Sequence, residues 1–171
     1  MPRRKKNSAG ILQYCPQYLL LAREIDYPPV RLVLDTAVMV AAIRSDTGAS
    51  RRLLLAALRQ RVTLLVSVPL LIEYQAVMTR TEHLTASGLS AEEVGTSLDA
   101  VAFVAERVRL TFLWRPSLRD ADDDMVLEAA VNGQADAIVT FNHRDFAPAT
   151  KQFGIEVLSP GVALRHLERA S

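Results

Sequence analysis

Cysteine and histidine are both scarce in this 171-residue chain. It has one cysteine, Cys15, and three histidines, so an intrachain disulfide is impossible and a Cys/His zinc site of ordinary spacing is absent. No apolar run approaches the roughly 18 residues of a membrane-spanning helix, and the apolar stretch near the N-terminus is too short for a signal peptide. The sequence therefore predicts a cytoplasmic protein that does not contact a membrane.

A large excess of one charge is also missing. The chain has 20 basic and 19 acidic residues, a formal net charge of +1. No long-range field therefore draws the whole molecule toward nucleic acid, and any such contact must come from local patches. Half of the residues are hydrophobic and 23% are charged, a composition typical of a folded α/β domain and not of a disordered chain.

The first 29 residues differ from the rest of the chain. They open with the basic run Arg3 to Lys6 and end at Pro28 and Pro29. We predict an N-terminal basic extension over residues 1–29, disordered or loosely packed, and one folded domain over residues 30–171. Two interpretations of the extension stay open, an appendage without function and an arm that binds phosphate.

Strand-like apolar runs alternate with helical stripes from Arg31 onward, which indicates βα units around a parallel sheet. Ser50 is the expected N-cap of the first bounded helix, Ser90 and Glu93 form a capping box, and Gly133 is expected to take a left-handed cap. The predicted strands cover residues 31–34, 62–66, 108–113, 137–140 and 154–158. The predicted helices cover residues 50–60, 69–80, 90–107, 120–133 and 160–168.

Acidic side chains follow several of these strands. Asp35 ends the first strand, Glu73 lies one turn into the helix after the second, and Asp123 lies at the start of the helix after the third. Asn142 and Asp145 follow the fourth strand. Because right-handed crossovers return each helix to the same rim of a parallel sheet, we expect these residues to share its carboxyl edge.

Ionised carboxylates in a small space repel one another unless a cation lies between them. Oxygen ligands without His or Cys favour Mg²⁺ or Mn²⁺ over zinc, and such a site suits hydrolysis of a phosphodiester. A structural interpretation stays open for each acid. An Asp after a strand often caps the next helix, and Glu73 alone is typical of a solvated helix residue.

Four segments of the chain resemble the signature segments of PIN-domain proteins, and in particular those of the VapC-like toxins of toxin–antitoxin systems. They occur in the family's order and spacing as Leu32–Thr36, Val66–Tyr74, Arg119–Asp124 and Ala137–Phe146. The resemblance implies a three-layer α/β/α sandwich with a central parallel sheet. It further implies a Mg²⁺- or Mn²⁺-dependent endoribonuclease that cleaves single-stranded RNA, a frequent homodimer, and a cognate antitoxin protein that blocks the site.

The resemblance also implies roles for individual residues. It assigns the metal ligands to Asp35, Glu73 and Asp123. Asp120 and Asp124 are alternatives to Asp123 as the third ligand. The fourth catalytic position is either Asn142 or Asp145. The catalytic candidates are therefore Asp35, Glu73, Asp123, Asp120, Asp124, Asn142 and Asp145. Polar and basic side chains flanking them are candidate substrate contacts, with ordinary surface charge as the alternative; they are Thr36, Arg44, Arg51, Arg52, His143 and Arg144.

One position departs from the family pattern. The family usually has Asn two residues after the first acid, where this chain has Ala37. An Asn there can orient the acids, so its absence lowers the expected catalytic rate more than the expected affinity for metal. The alternative function is a catalytically weak or inactive PIN-fold module that binds RNA or protein. A receiver-like or nucleotide-binding α/β domain is the third candidate, but it leaves Glu73 unexplained and the chain has no Gly-rich phosphate loop.

Overall fold

The computed structural model of the chain describes residues 29–112 and 121–169. The predicted extension over residues 1–29 lies outside the described residues except for its last position, and Asp120 also lies outside them. None of the helices in the described ranges is long and apolar enough to cross a membrane.

Strands and helices alternate along most of the described chain. The strands are β1 (Arg31–Leu34), β2 (Thr63–Ser67), β3 (Glu106–Val108), β4 (Ala137–Val139) and β5 (Glu156–Leu158). The helices are α1 (Thr36–Arg44), α2 (Ala49–Leu58), α3 (Val68–Met78), α4 (Thr81–Ser87), α5 (Ala91–Val104), α6 (Ala121–Asn132), α7 (His143–Phe153) and α8 (Pro160–Arg169).

The strands form one parallel sheet in the order β3-β2-β1-β4-β5, flanked by helices. This arrangement confirms the predicted α/β/α sandwich. Strand β1 lies at the centre because the chain adds β2 and β3 on one side and then crosses to add β4 on the other. Leu34, at the end of β1, pairs with Val139, at the end of β4. Ligands of open parallel sheets bind at such a reversal of strand order, beyond the carboxyl ends of the strands.

The central strands are apolar throughout because helices cover them. Leu32, Val33 and Leu34 of β1 are almost completely buried, as is every residue of β4. Helix α6 contacts β1, β2 and β4, and its Leu127 has no exposed surface. Continuous apolar strands of this kind are typical of parallel sheets covered by helices. The core therefore holds the carboxyl ends of β1 and β4 in a fixed relation.

Several predicted boundaries differ from the structure. Helices α1, α4 and α7 were not among the predicted helices. Ser50 is not an N-cap, because α2 already begins at Ala49 with Gly48 in the extended cap conformation, and Ser50 is buried inside the helix. The third strand covers 106–108 and does not continue through 109–112, because its partner β2 ends at Ser67, opposite Val108. The capping box of Ser90 and Glu93 is confirmed.

Gly133 does not take the left-handed conformation that the sequence suggested. The positive φ, 51°, belongs to the next residue, Gln134. Gly133 is required instead by a close approach, since a Cβ there would lie 2.7 Å from the carbonyl oxygen of Ala129 and 2.8 Å from Val108 Cγ2. The absence of a side chain lets the end of α6 sit directly against β3.

Arg31 joins several elements at the amino edge of the sheet. Its guanidinium donates two hydrogen bonds to the Glu106 carboxylate, at 2.9 and 2.7 Å, and one to the carbonyl oxygen of Gly133 at 2.9 Å. Its backbone N–H donates to Asp136 Oδ2 at 2.7 Å. The hydrogen bond and charge of Glu106 raise the pKa of Arg31, and the hydrogen bond from Arg31 lowers the pKa of Glu106. This pairing links the first residue of β1 to the first residue of β3 across β2.

Candidate active site

Asp35 connects β1 to α1 and is held on both sides. Its backbone N–H donates to the carbonyl oxygen of Val139 at 2.9 Å, which extends the pairing of β1 with β4 by one residue. Its carboxylate is the N-cap of α1 and accepts from the backbone N–H of Ala37 at 3.4 Å. The other carboxylate oxygen accepts from Thr140 Oγ1 at 2.6 Å. Asp35 therefore does cap a helix, as the structural interpretation expected, and its side chain still faces the carboxyl edge of the sheet.

Burial shapes the electrostatics around Asp35. The residue is 7% exposed, and this burial raises the pKa of its carboxyl group, while the hydrogen bonds from Thr140 and from the backbone of Ala37 and Thr36 oppose the rise. Tyr74 lies fully buried beside it and donates its hydroxyl to the carbonyl oxygen of Leu34. Burial, and then the charge of Asp35, raise the pKa of Tyr74 well above its ordinary value. A negative charge at Asp35 is costly in this environment, and a nearby cation would offset that cost.

The three acids predicted to bind metal all line one cleft of about 550 Å³. Asp35 enters it from the start of α1, Glu73 from α3, and Asp123 from the first turn of α6. Ser67 is the N-cap of helix α3, and its side chain accepts from the backbone N–H of Leu70. The helix buries Leu70 and Tyr74. Burying that face leaves Glu73 directed toward the cleft. The described lining is Asp35, Thr36, Ala37, Val40, Ala41, Arg44, Ser45, Glu73, Val77, Arg80, His83 and Asp123.

The acids surround the cleft without closing on a single point. Within residues 29–112 and 121–169, no three His, Cys, Asp or Glu side chains are gathered closely enough to hold a metal ion. The donors nevertheless fit a hard divalent cation in their chemistry, because the acidic end of the cleft offers carboxylate oxygens and one of them, on Asp35, is buried.

Thr140 is a site residue to which the sequence analysis gave no role. It follows the last residue of β4 and is fully buried; its hydroxyl donates to Asp35 and accepts from the backbone N–H of Asn142 at 2.9 Å. The side-chain amide of Asn142 in turn donates to the carboxylate of Asp145. The fourth catalytic candidates therefore connect to Asp35 through Thr140, although neither belongs to the described lining of the cleft. The sequence does contain a signal for this role: a polar residue directly follows a buried strand next to the reversal of strand order.

Asp123 and Asp124 are neighbours in α6, but their side chains lie on different faces of the helix. Asp123 lines the cleft, whereas Asp124 is 1% exposed and does not belong to the described lining. One residue along a helix turns the side chain by about 100°. Asp120 lies outside the described residues.

The predicted substrate contacts are divided. Thr36 and Arg44 line the cleft. Arg51 is buried within α2, and Arg52 is exposed and paired with Glu168 of α8. The remaining two, His143 and Arg144, are exposed at the start of α7. Nothing in the described lining supports a role in the cleft for these last four residues.

Two basic residues reach the cleft that the sequence analysis did not assign to it, Arg80 and His83. Arg80 is the N-cap of α4 and His83 lies within it. This short helix was not among those predicted from the sequence. Without that helix, nothing in the pattern brings this segment back to the carboxyl edge of the sheet.

Comparisons with known proteins bear on the fold of the chain. A family model described as PIN domain matches residues 31–144, a range that includes Asp35, Glu73, Asp123 and Asn142. No curated protein matches the chain. A chain in the crystal structure of VapBC2 from Rickettsia felis bound to a DNA fragment from their promoter is similar in fold, with a TM-score of 0.52 and 19% sequence identity over 76% of this chain and 98% of that chain.

Proposed function

We propose that this chain, which belongs to the PIN-domain family, is a Mg²⁺- or Mn²⁺-dependent endoribonuclease that cleaves single-stranded RNA. The observation that carries the proposal is the single cleft lined by Asp35, Glu73 and Asp123. Similarity in fold to a VapBC2 chain supports a more specific role as the toxin of a toxin–antitoxin system. We place this activity in the cytoplasm.

Asp35, Glu73 and Asp123 would hold the cation in this proposal. When bound, the cation supplies charge stabilisation at the phosphoryl group and activates water for attack. Asp35 contributes a carboxylate that accepts the N-cap hydrogen bond at 3.4 Å and a shorter one from Thr140 at 2.6 Å. Arg44, on the same wall of the cleft, contributes positive charge toward the RNA backbone.

A second candidate function is a catalytically weak or inactive module that binds RNA or protein. The observation in its favour is Ala37, which lines the cleft beside Asp35 and offers no polar side chain. Such a protein would keep the cleft and its affinity for a cation but would turn over substrate slowly.

Protein partners are part of the proposal, namely a cognate antitoxin and a second copy of the chain. Val68 and Ile72, four residues apart on α3, are 46% and 62% exposed. Residues at this spacing lie on the same face of a helix, and exposed apolar side chains next to a functional cleft support contact with another protein.

The test of the proposed function is cleavage of labelled single-stranded RNA by the full chain. We expect cleavage with Mg²⁺ or Mn²⁺ and none with EDTA, because phosphodiester hydrolysis at this site depends on the cation. Double-stranded RNA of the same sequence is the control substrate. Binding of metal and RNA without cleavage under any of these conditions would favour the inactive module instead.

Thr140→Val should lower the cleavage rate by about ten- to a hundredfold, the usual effect of removing a hydrogen bond that orients a metal ligand. The substitution keeps the shape of the side chain but removes the donor to Asp35. Thr140→Ser keeps the donor and should retain most of the activity. The measurement is the rate as a function of Mg²⁺ concentration for the three proteins. Equal rates and equal metal dependence for the Val and Ser variants would show that this hydroxyl does not position Asp35.

A further inference from the structure

The cleft has an acidic end and a basic end. Helix α1 begins at its N-cap Asp35 and ends at Arg44, and helix α3 carries Glu73 and is followed by Arg80. His83 lies one turn further on, in α4, and lines the same cleft. Both walls therefore run from a carboxylate to a cation.

The spacing of the lining residues explains this polarity. Those contributed by α1 after Thr36 fall at helical intervals of three and four residues, as Ala37, Val40, Ala41 and Arg44. Those from the α3 side follow the same rule, as Glu73, Val77 and Arg80. Residues at these intervals lie on one face of a helix. The acidic and basic ends are thus joined by two continuous helical stripes.

The two ends lie far enough apart for each to contact a different phosphate of one strand. Arg44 lies nine positions after Asp35, which corresponds to about 13.5 Å along the axis of an α-helix. Successive phosphates of one strand are separated by about 3.4 Å of axial rise in a duplex. A strand whose scissile phosphate lies at the acids would therefore present a different phosphate to the basic end. The small side chains of Ala37 and Ala41 leave room for it between the ends.

Two of the basic residues, Arg80 and His83, have side-chain groups that no described residue pairs with. Arg80 is exposed, and its side chain forms no hydrogen bond or ion pair within the part of the chain that the structure describes. His83 Nδ1 is buried and has no hydrogen-bond partner among the described residues. A buried nitrogen without a partner is disfavoured unless the group serves another purpose. Rotation of the ring would turn this nitrogen into the cleft that His83 lines, where it can donate to an anion.

We infer that Arg80 and His83, together with Arg44, form a subsite that binds a backbone phosphate of the RNA on one side of the cleavage position. The inference rests on the proposed function and identifies which part of the substrate the far end of the cleft holds. Arginine pairs with phosphate through two parallel N–H donors, and a strand that crosses the cleft satisfies both of its ends at once. The subsite fixes the direction in which RNA lies between α1 and α3.

The test measures RNA binding separately from cleavage. The affinity of a labelled single-stranded oligoribonucleotide is measured in the full-length Asp35→Asn protein, and then with Arg80→Ala or His83→Gln added. We expect a several-fold weaker affinity for each, and a salt dependence that falls by about 0.7 in log–log slope when the Arg80 contact is lost. Arg80→Lys should recover part of the affinity. Arg165→Ala is the matched control, since Arg165 is exposed on α8 and lies outside the described lining of the cleft.

The same substitutions in the otherwise unchanged chain separate the two proposals. A raised KM with kcat retained for Arg80→Ala and His83→Gln supports a subsite away from the reacting phosphate. Affinity and salt slope equal to those of Arg165→Ala would overturn the subsite and leave the nuclease proposal standing. Loss of RNA affinity in a chain that cleaves no RNA would retain the subsite and reject the nuclease. Displacement of RNA by an acidic peptide at equal charge concentration would assign the basic end to a protein partner and overturn the inference.

Discussion

Asp35→Asn is expected to abolish Mg²⁺-dependent cleavage and the thermal stabilisation that Mg²⁺ gives to the parent protein. The substitution removes the charge of a carboxylate that is 7% exposed and lies at the acidic end of the cleft. It should leave the fold intact, because Asn caps a helix about as well as Asp: its amide oxygen can accept from the backbone N–H of Ala37 while its amide NH2 donates to Thr140 Oγ1. The cleavage rate should fall by more than about a hundredfold, since changes in the outer shell of a metal site already cost ten- to a hundredfold.

The thermal part of this prediction does not depend on finding the natural substrate. A ligand present at about a hundred times its Kd stabilises the folded state by about 2.7 kcal/mol, or about 5–10 °C in Tm for a chain of this size. We expect a gain of this order for the parent protein at saturating Mg²⁺ and no gain for Asp35→Asn. Asp99→Asn is the matched control, since Asp99 is exposed on α5 and lies outside the described lining of the cleft. An unchanged Tm of the parent protein in millimolar Mg²⁺ would contradict a shared metal site.

Ala37→Asn is expected to raise the cleavage rate, by up to about a hundredfold if misorientation of the acids limits the parent protein. Ala37 is exposed in the wall of the cleft, and its backbone N–H already donates to the Asp35 carboxylate at a long 3.4 Å. An Asn side chain at this position adds polar groups next to that carboxylate and can hold it in one orientation. Affinity for Mg²⁺ should change little, because no carboxylate is added or removed.

The control for this gain is Ala41→Asn, one turn further along the same wall of the cleft. It introduces the same side chain away from Asp35 and should leave kcat near that of the parent protein. The measurement is kcat on one RNA with Mg²⁺, together with the Mg²⁺ concentration that gives half the maximal rate. An equal gain in both variants would trace the effect to general polarity of the cleft. No cleavage in either Ala37→Asn or the parent, with metal binding intact, would favour the inactive module.

Strand ends were the most informative feature of the sequence. Apolar runs in parallel sheets are nearly continuous, so the end of β1 at Asp35 could be located from the residues alone. The rule that consecutive helices begin at the same rim then brought Glu73 and Asp123 to the cleft that they line. The same rule also brought Asn142 and Asp145 to this edge, and neither belongs to the described lining of the cleft.

Packing determined what the sequence did not reveal. Helix α4 is seven residues long and carries no strong amphipathic pattern, so the approach of Arg80 and His83 could not be foreseen. Gly133 resembles a helix-ending glycine, yet its requirement comes from contact with Ala129 and Val108 across elements distant in sequence. The hydrogen bond from Thr140 to Asp35 joins residues 105 positions apart, and only the register of β1 with β4 brings them together.

Substitutions of charged residues should have different consequences at the two edges of the sheet. At the amino edge, Arg31 and Glu106 pair opposite charges, and charge removal there acts on folding alone. The pair is partly exposed, so its loss should reduce stability only slightly. At the carboxyl edge, three acids of like charge line one end of the cleft, and removing one of them relieves repulsion while it eliminates the proposed chemistry. In a mutational scan scored for both protein abundance and activity, substitutions at the two edges would therefore separate: those at the acids would keep abundance and lose activity, and those at Arg31 would change both scores together.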